Sequence, residues 1–218
     1  MSRLITFGCS YTFGTGLPDC KAGATESSKL GWPSILSNKL NLELVNISSA
    51  GASNFEILNN IINFNFKESD TVAIMWTHYV RDLFFKKWPE ADQIVRLGPW
   101  TTGDGTWLSK IIDTQVIVGK KWRRSWIENM NDKTFALKSW SYIHHADLYL
   151  QSKKIKYIHC PAFPGELNKY PVSYTINNFY SNGFLTIDYG SDNAHPGIKS
   201  NEKTAEILYT ILNEQYTK

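Results

Sequence analysis

Three side chains that together make an activated nucleophile stand near the two ends of this chain: Ser10 close to the N-terminus, and Asp192 and His195 close to the C-terminus. A serine hydroxyl attacks well only when a base takes its proton, and an imidazole serves as that base when a carboxylate fixes its tautomer. Asp192 and His195, three residues apart in Ile187-Asp188-Tyr189-Gly190-Ser191-Asp192-Asn193-Ala194-His195-Pro196-Gly197, supply base and carboxylate from one short loop. Ser10 follows the apolar run Leu4-Ile5-Thr6-Phe7 and sits among Gly8, Gly14 and Gly16, the composition of a strand that turns sharply at its carboxyl end. Ligands of open parallel sheets bind at strand carboxyl ends, so this hydroxyl is placed for work on a small molecule. If the late loop lies against the tip of the first strand, a triad is completed in the chain order Ser, Asp, His. Cys9 is another nucleophile in the same turn, but it points away if Ser10 points in.

Gly8-Cys9-Ser10 at a first strand, a glycine block further on and Asp192-x-x-His195 before a final helix resemble the SGNH hydrolases, also called the GDSL family of esterases and lipases. The resemblance covers both ends and the first third of the chain. The family's first block is Gly-Asp-Ser; here it reads Gly-Cys-Ser, which keeps the serine and loses the carboxylate beside it. Its second block, an asparagine with a glycine five residues on, is matched by Asn46-Ile47-Ser48-Ser49-Ala50-Gly51. The resemblance implies that the backbone N–H groups of Ser10 and Gly51 form part of an oxyanion hole. The third block, Gly-x-Asn-Asp, has no counterpart: Thr71-Val72-Ala73-Ile74-Met75 runs into Trp76-Thr77-His78-Tyr79-Val80-Arg81. Thr77 or His78 is the expected substitute donor, since each carries a polar hydrogen at about the right place.

The resemblance implies an α/β fold, a flavodoxin-like three-layer sandwich with a mostly parallel central sheet, and ester hydrolysis through an acyl-enzyme with no metal or cofactor. Members of the family act on acetylated sugars, thioesters, short acyl esters and lipids. The expected partner is a small-molecule ester, including an O-acetyl or short acyl group on a carbohydrate. Two other readings stay open. One is a catalytically inactive module that binds a glycan or peptide, favoured by the Cys9 change and the missing third-block asparagine. The other is an acyltransferase using the same serine.

Positioning these groups requires alternating elements, and the periodicity supplies them. Gly31-Trp32-Pro33 opens a helix with Ile35, Leu36 and Leu40 at helical spacing, and Leu42 to Val45 reads as a second strand. Ser53 or Asn54 caps a helix carrying Phe55, Ile57, Leu58, Ile61 and Ile62, and Asp70 to Met75 is a strand apolar enough to be covered on both faces. From Thr134 a helix with Phe135, Leu137, Trp140 and Ile143 leads to a strand over Ile155 to Cys160. Phe184 to Ile187 is a candidate fifth strand, and Lys203 to Tyr216 the closing helix. Helix and strand in alternation predict a parallel sheet with helices on both faces.

Between about residues 84 and 133 the rhythm breaks. A connection of about fifty residues is too long to be a plain loop, so an insertion or lid with its own short elements is expected there. It holds Trp88, Trp100, Trp107, Trp122 and Trp126, and reads either as a packing layer or, with Trp76, as a substrate wall in which Trp100 and Trp107 are the candidate contacts.

Composition excludes several classes. The 218 residues, 42% apolar and 20% charged, suit one folded domain spanning 1–218 rather than a disordered or fibrous chain. A net charge of +3 is too small an excess to argue for nucleic acid or an anionic membrane, even with Lys120-Lys121-Trp122-Arg123-Arg124. Cys9, Cys20 and Cys160 form no metal or redox spacing. With a strand starting near residue 4 and no apolar run approaching about 18 residues, a cytoplasmic protein without a signal peptide is expected.

Overall fold

The computed structural model of the protein describes residues 2–21, 23–87, 92–97 and 131–216, apart from the side chains of 84–87, 92–95, 97, 215 and 216. The elements in order are β1 (Arg3–Gly8), α1 (Ser10–Phe13), α2 (Trp32–Leu40), β2 (Glu43–Ser48), α3 (Asn54–Ile62), β3 (Thr71–Trp76), β4 (Asp82–Lys87), β5 (Asp92–Leu97), α4 (Asp132–Ser152), β6 (Lys156–Pro161), α5 (Pro164–Leu167) and α6 (Ile198–Tyr216). Four strands form a parallel sheet in the order β2-β1-β3-β6. Chain order therefore reverses between β1 and β3, and in sheets of this kind ligands bind beyond the carboxyl ends of the strands at such a reversal.

Side-chain alternation along the strands divides the core into two layers. Ile5, Phe7, Val72, Ile74 and Trp76 pack with Ile57, Ile61 and Ile143 of α3 and α4. Leu4, Ala73, Met75, Ile158 and Cys160 pack on the opposite face with Trp32 and Leu36 of α2 and Leu208 and Leu212 of α6. Successive residues of a strand point to opposite faces, so an unbroken apolar run such as β3 feeds both layers, and every residue of β3 is buried. The three-layer α/β sandwich is thus the observed fold.

Two local expectations change. The fifth strand at 184–187 is not formed; instead Phe179 makes an isolated parallel bridge with His159, and Phe184 N–H donates to the Pro161 carbonyl at 2.9 Å. The closing helix starts at Ile198 rather than near Lys203, because the Asp188 carboxylate accepts from the N–H groups of Lys199 and Ser200 at 3.1 and 2.8 Å and satisfies donors that a helix start leaves free. Where the insertion is expected to begin, the chain forms an antiparallel hairpin, β4 with β5.

Candidate active site

β1 ends at Gly8 because the chain folds straight back over it. A Cβ at Gly8 would overlap the Thr12 side chain, and only glycine lets α1 turn this tightly above the strand. Cys9 is fully buried in the core layer with α3, and Ser10 starts α1 with 4% of its surface exposed. The Cys9 thiol packs inward among apolar groups. Gly14 in the left-handed region (φ 84) closes α1, its N–H donating to the Ser10 carbonyl. Gly16 (φ 88) sits in the following turn.

That turn receives the late loop. Ser191 donates to the Gly16 carbonyl through its N–H at 2.9 Å and its hydroxyl at 3.1 Å, and Gly190 packs so closely on Gly16 that a Cβ would overlap the Gly16 carbonyl. Asp192 lies over Gly16 as well, with a carboxylate oxygen 2.8 Å from where a Gly16 Cβ would stand. Within the loop, Asp192 Oδ2 and His195 Nδ1 are 2.6 Å apart, while Asp192 Oδ1 accepts from the N–H groups of Ala194 and His195, both at 3.0 Å. Burial pushes the Asp192 carboxyl up, but those N–H groups and the imidazole outweigh it and hold the carboxyl below its usual range. The His195 ring lies edge-on to Tyr11, the residue after Ser10, with centroids 5.9 Å apart. Burial pushes the Tyr11 phenol up to about 12, so it stays a neutral packing surface for the imidazole.

Asn201, buried on α6, fixes the loop's far end. It donates to the Gly197 carbonyl at 2.9 Å and accepts from Trp32 N–H at 3.0 Å, tying the residues after His195 to the start of α2.

The β3 tip faces the same region, since Phe163 packs against Tyr11 at 5.1 Å and against His78 at 5.5 Å. Thr77 N–H donates to Asn54 Oδ1 at 2.8 Å, and Asn54 Nδ2 donates back to the Thr77 carbonyl at 3.1 Å and to Ser139 Oγ at 3.0 Å. The Thr77 hydroxyl is buried and has no hydrogen-bond partner among the described residues. His78 differs: Val80 N–H donates to its Nδ1 at 3.2 Å, which assigns the ring proton to Nε2, 3.8 Å from a Glu166 oxygen. Burial lowers the His78 pKa, leaving the ring neutral.

Gly51 lies in the turn after β2 with φ 80, the left-handed conformation that a glycine adopts freely. Of the tryptophans expected at a substrate wall, Trp76 is fully buried, and its indole N–H donates to His159 Nδ1 at 3.1 Å. It belongs to the core and not to the cleft, because as the last residue of β3 it points into the layer under α4. Trp100 and Trp107 lie outside the described residues.

Three residues near the site escaped the sequence reading. Asn54 had a visible signal, since Ser53 and Glu56 form the capping pattern of a helix start and so release Asn54 for another task; Ser53 Oγ does accept from Glu56 N–H at 3.2 Å. Asp188 and Arg96 carried no such signal.

No family model matches the sequence, and no curated protein matches it. Solved structures do match. One is a carbohydrate esterase whose active site displays divergent catalytic and non-catalytic binding functions, 11% identical, with a TM-score of 0.56 over 97% of this chain and 65% of that one. A second is an acetyl xylan esterase from the rumen bacterium Butyrivibrio proteoclasticus, 14% identical, TM-score 0.56, over 99% of this chain and 64% of that one. This chain shares its fold with both of these solved structures. A third solved structure, a carbohydrate esterase family 2 enzyme with a carbohydrate binding domain from Corynascus thermopiles, agrees at 12% identity and a TM-score of 0.55, over 99% of this chain and 67% of that one. The chain spans about two thirds of the length of these esterase-fold proteins, and at such identities the likeness is one of fold. The three-layer α/β architecture with a parallel sheet that the resemblance implies is the architecture observed. No described helix is long and apolar enough to cross a membrane.

Proposed function

We propose that the protein is a serine esterase that removes a small acyl group, such as an acetyl group, from a carbohydrate. The observation that carries this reading is the 2.6 Å contact between Asp192 Oδ2 and His195 Nδ1, in a loop seated on the glycine turn that follows Ser10. With Nδ1 held by the carboxylate, Nε2 is the nitrogen left to take a proton. His195 accepts the Ser10 proton as Oγ attacks the ester carbonyl. The Ser10 and Gly51 N–H groups stabilise the oxyanion, and His195 then protonates the departing alcohol. Water, activated by the same imidazole, attacks the acyl-serine, and the acid leaves with Ser10 restored. Of the two substitutes for the third-block asparagine, Thr77 is favoured over His78. Its hydroxyl has no partner among the described residues, whereas the ring of His78 receives Val80 N–H and turns Nε2 toward Glu166.

The carbohydrate part of the substrate rests on the neighbours, which are carbohydrate esterases. Intact-protein mass after exposure to a fluorophosphonate tests the chemistry, because this reagent needs an activated serine and little substrate recognition. One adduct on the wild type, absent from Ser10→Ala and His195→Ala, is expected. A folded wild type that forms no adduct would overturn the reading. It would favour instead the second one, a non-catalytic glycan-binding module, which the Gly-Cys-Ser block and the non-catalytic binding function of one neighbour support.

A further inference from the structure

The β4–β5 hairpin is bolted to the body at its base. Asp82, the first residue of β4, accepts from Lys138 Nζ of α4 at 2.8 Å. In the next register pair Leu83 faces Arg96, and the Arg96 guanidinium grips Glu56 on the first turn of α3, Nε to Oε2 at 2.9 Å and Nη2 to Oε1 at 2.5 Å. The same Nη2 donates to Ser49 Oγ at 3.2 Å, and Arg96 Cδ lies 3.5 Å from where a Gly51 Cβ would stand. One side chain therefore spans the whole turn between β2 and α3: it bonds Ser49 at the start of the turn, covers Gly51 and fastens to the helix beyond.

The turn has reason to need such a brace. Its own anchors are Ser49 N–H to the Gly8 carbonyl at 3.3 Å and Ala52 N–H to the Ser49 carbonyl at 3.1 Å, and a glycine between them has wide conformational freedom. An oxyanion donor acts by being held in place before charge develops. A planar guanidinium bonded to a carboxylate through two nitrogens is among the more rigid fasteners available to a side chain.

We propose that Arg96 is a positioning residue that holds the Ser49–Gly51 turn, and with it the Gly51 N–H, in the geometry that binds the oxyanion. The inference rests on the serine-esterase reading. It gives the insertion a part in the reaction through its base, separate from any wall its tryptophans form.

The test is the rate of fluorophosphonate addition to Ser10, with amide hydrogen exchange read on the segment 46–55. Arg96→Ala is expected to raise exchange at residues 49–52 about tenfold while the β3 amides keep their protection. It should slow addition about 10- to 100-fold, less than the outright loss of a donor. Arg96→Lys keeps the charge without the fork and should fall between. Glu56→Gln, which leaves the guanidinium a single neutral acceptor at the far anchor without touching the turn, should slow addition in the same direction, and Arg96→Ala/Glu56→Gln should be no slower than Arg96→Ala alone. Unchanged exchange at 49–52 in Arg96→Ala, or raised exchange with an unchanged addition rate, overturns the inference. A wild type that forms no adduct removes the esterase reading and the catalytic role of Arg96 together, whereas a labelled wild type whose Arg96 variants label equally fast removes only the latter.

Discussion

Replacing Gly16 with alanine should impair the proposed triad without unfolding the protein. The added Cβ would stand 2.8 and 2.9 Å from the two carboxylate oxygens of Asp192. Restoring an ordinary contact of about 3.4 Å moves the carboxylate by about 0.6 Å. A shift of that size takes the 2.6 Å bond to His195 toward about 3.2 Å, the edge of hydrogen-bond range, and lets the imidazole turn. Misplacement by about 1 Å costs a reaction about 10²-fold, and a full loss of the carboxylate's tautomer control about 10⁴, so a 10- to 100-fold fall in fluorophosphonate addition is expected. Strain at φ 88 adds about 1–2 kcal/mol of destabilisation for any side chain there, a drop of about 2–8 °C in Tm. Gly23→Ala separates the two effects, because Gly23 has nearly the same φ, 86, and nothing among the described residues within 4 Å of the added Cβ. Both variants should lose similar Tm, and Gly16→Ala alone should lose the addition rate. Equal addition rates in the two would refute the placement of Asp192 as the imidazole's orienting group.

Other outcomes follow from the same geometry. Thr77→Val replaces a buried hydroxyl that has no partner among the described residues with an isosteric methyl, so Tm should hold or rise while kcat on an acetyl ester falls about 10²-fold; an unchanged kcat would remove Thr77 from the oxyanion site. Asn54→Ala deletes three buried hydrogen bonds and should cost about 3 kcal/mol, or about 6–12 °C in a thermal melt. Burial pushes the Asp147 carboxyl up, but His159, Tyr157 and Asn177 outweigh it and hold it down at about 2, below the unfolded value of about 3.9. Its contribution to stability is therefore present above about pH 4 and lost as pH falls through about 2. Acid denaturation of Asp147→Asn should accordingly begin from lower stability and show a shallower loss between those limits.

The turn that carries Ser10 and the contact between Asp192 and His195 were legible because these residues sit beside others with strong local preferences. Glycines force the strand to end, and an aspartate three residues before a histidine lets its carboxylate reach both that residue's N–H and its ring. The strands and helices were legible for a similar reason: the runs over β1 and β3 and the spacing of Ile57, Leu58 and Ile61 record which faces must leave water. Asp188 shows the limit. It shares a loop with Asp192, and residue type alone did not say that it caps α6 while Asp192 meets the His195 ring.

What the sequence determined by itself is therefore the set of elements and the chemistry available at their ends, because periodicity, glycine conformation and side-chain type are local properties. Tertiary structure decided which of those groups meet. Gly16 and Asp192 are brought into contact, Asn54 is spent on the β3 tip, Trp76 goes into the core rather than the cleft, and Arg96 reaches back from the hairpin to the turn at Gly51. Such pairings depend on how the two layers pack around one sheet, and nothing in the spacing of residues along a chain encodes a distance across it.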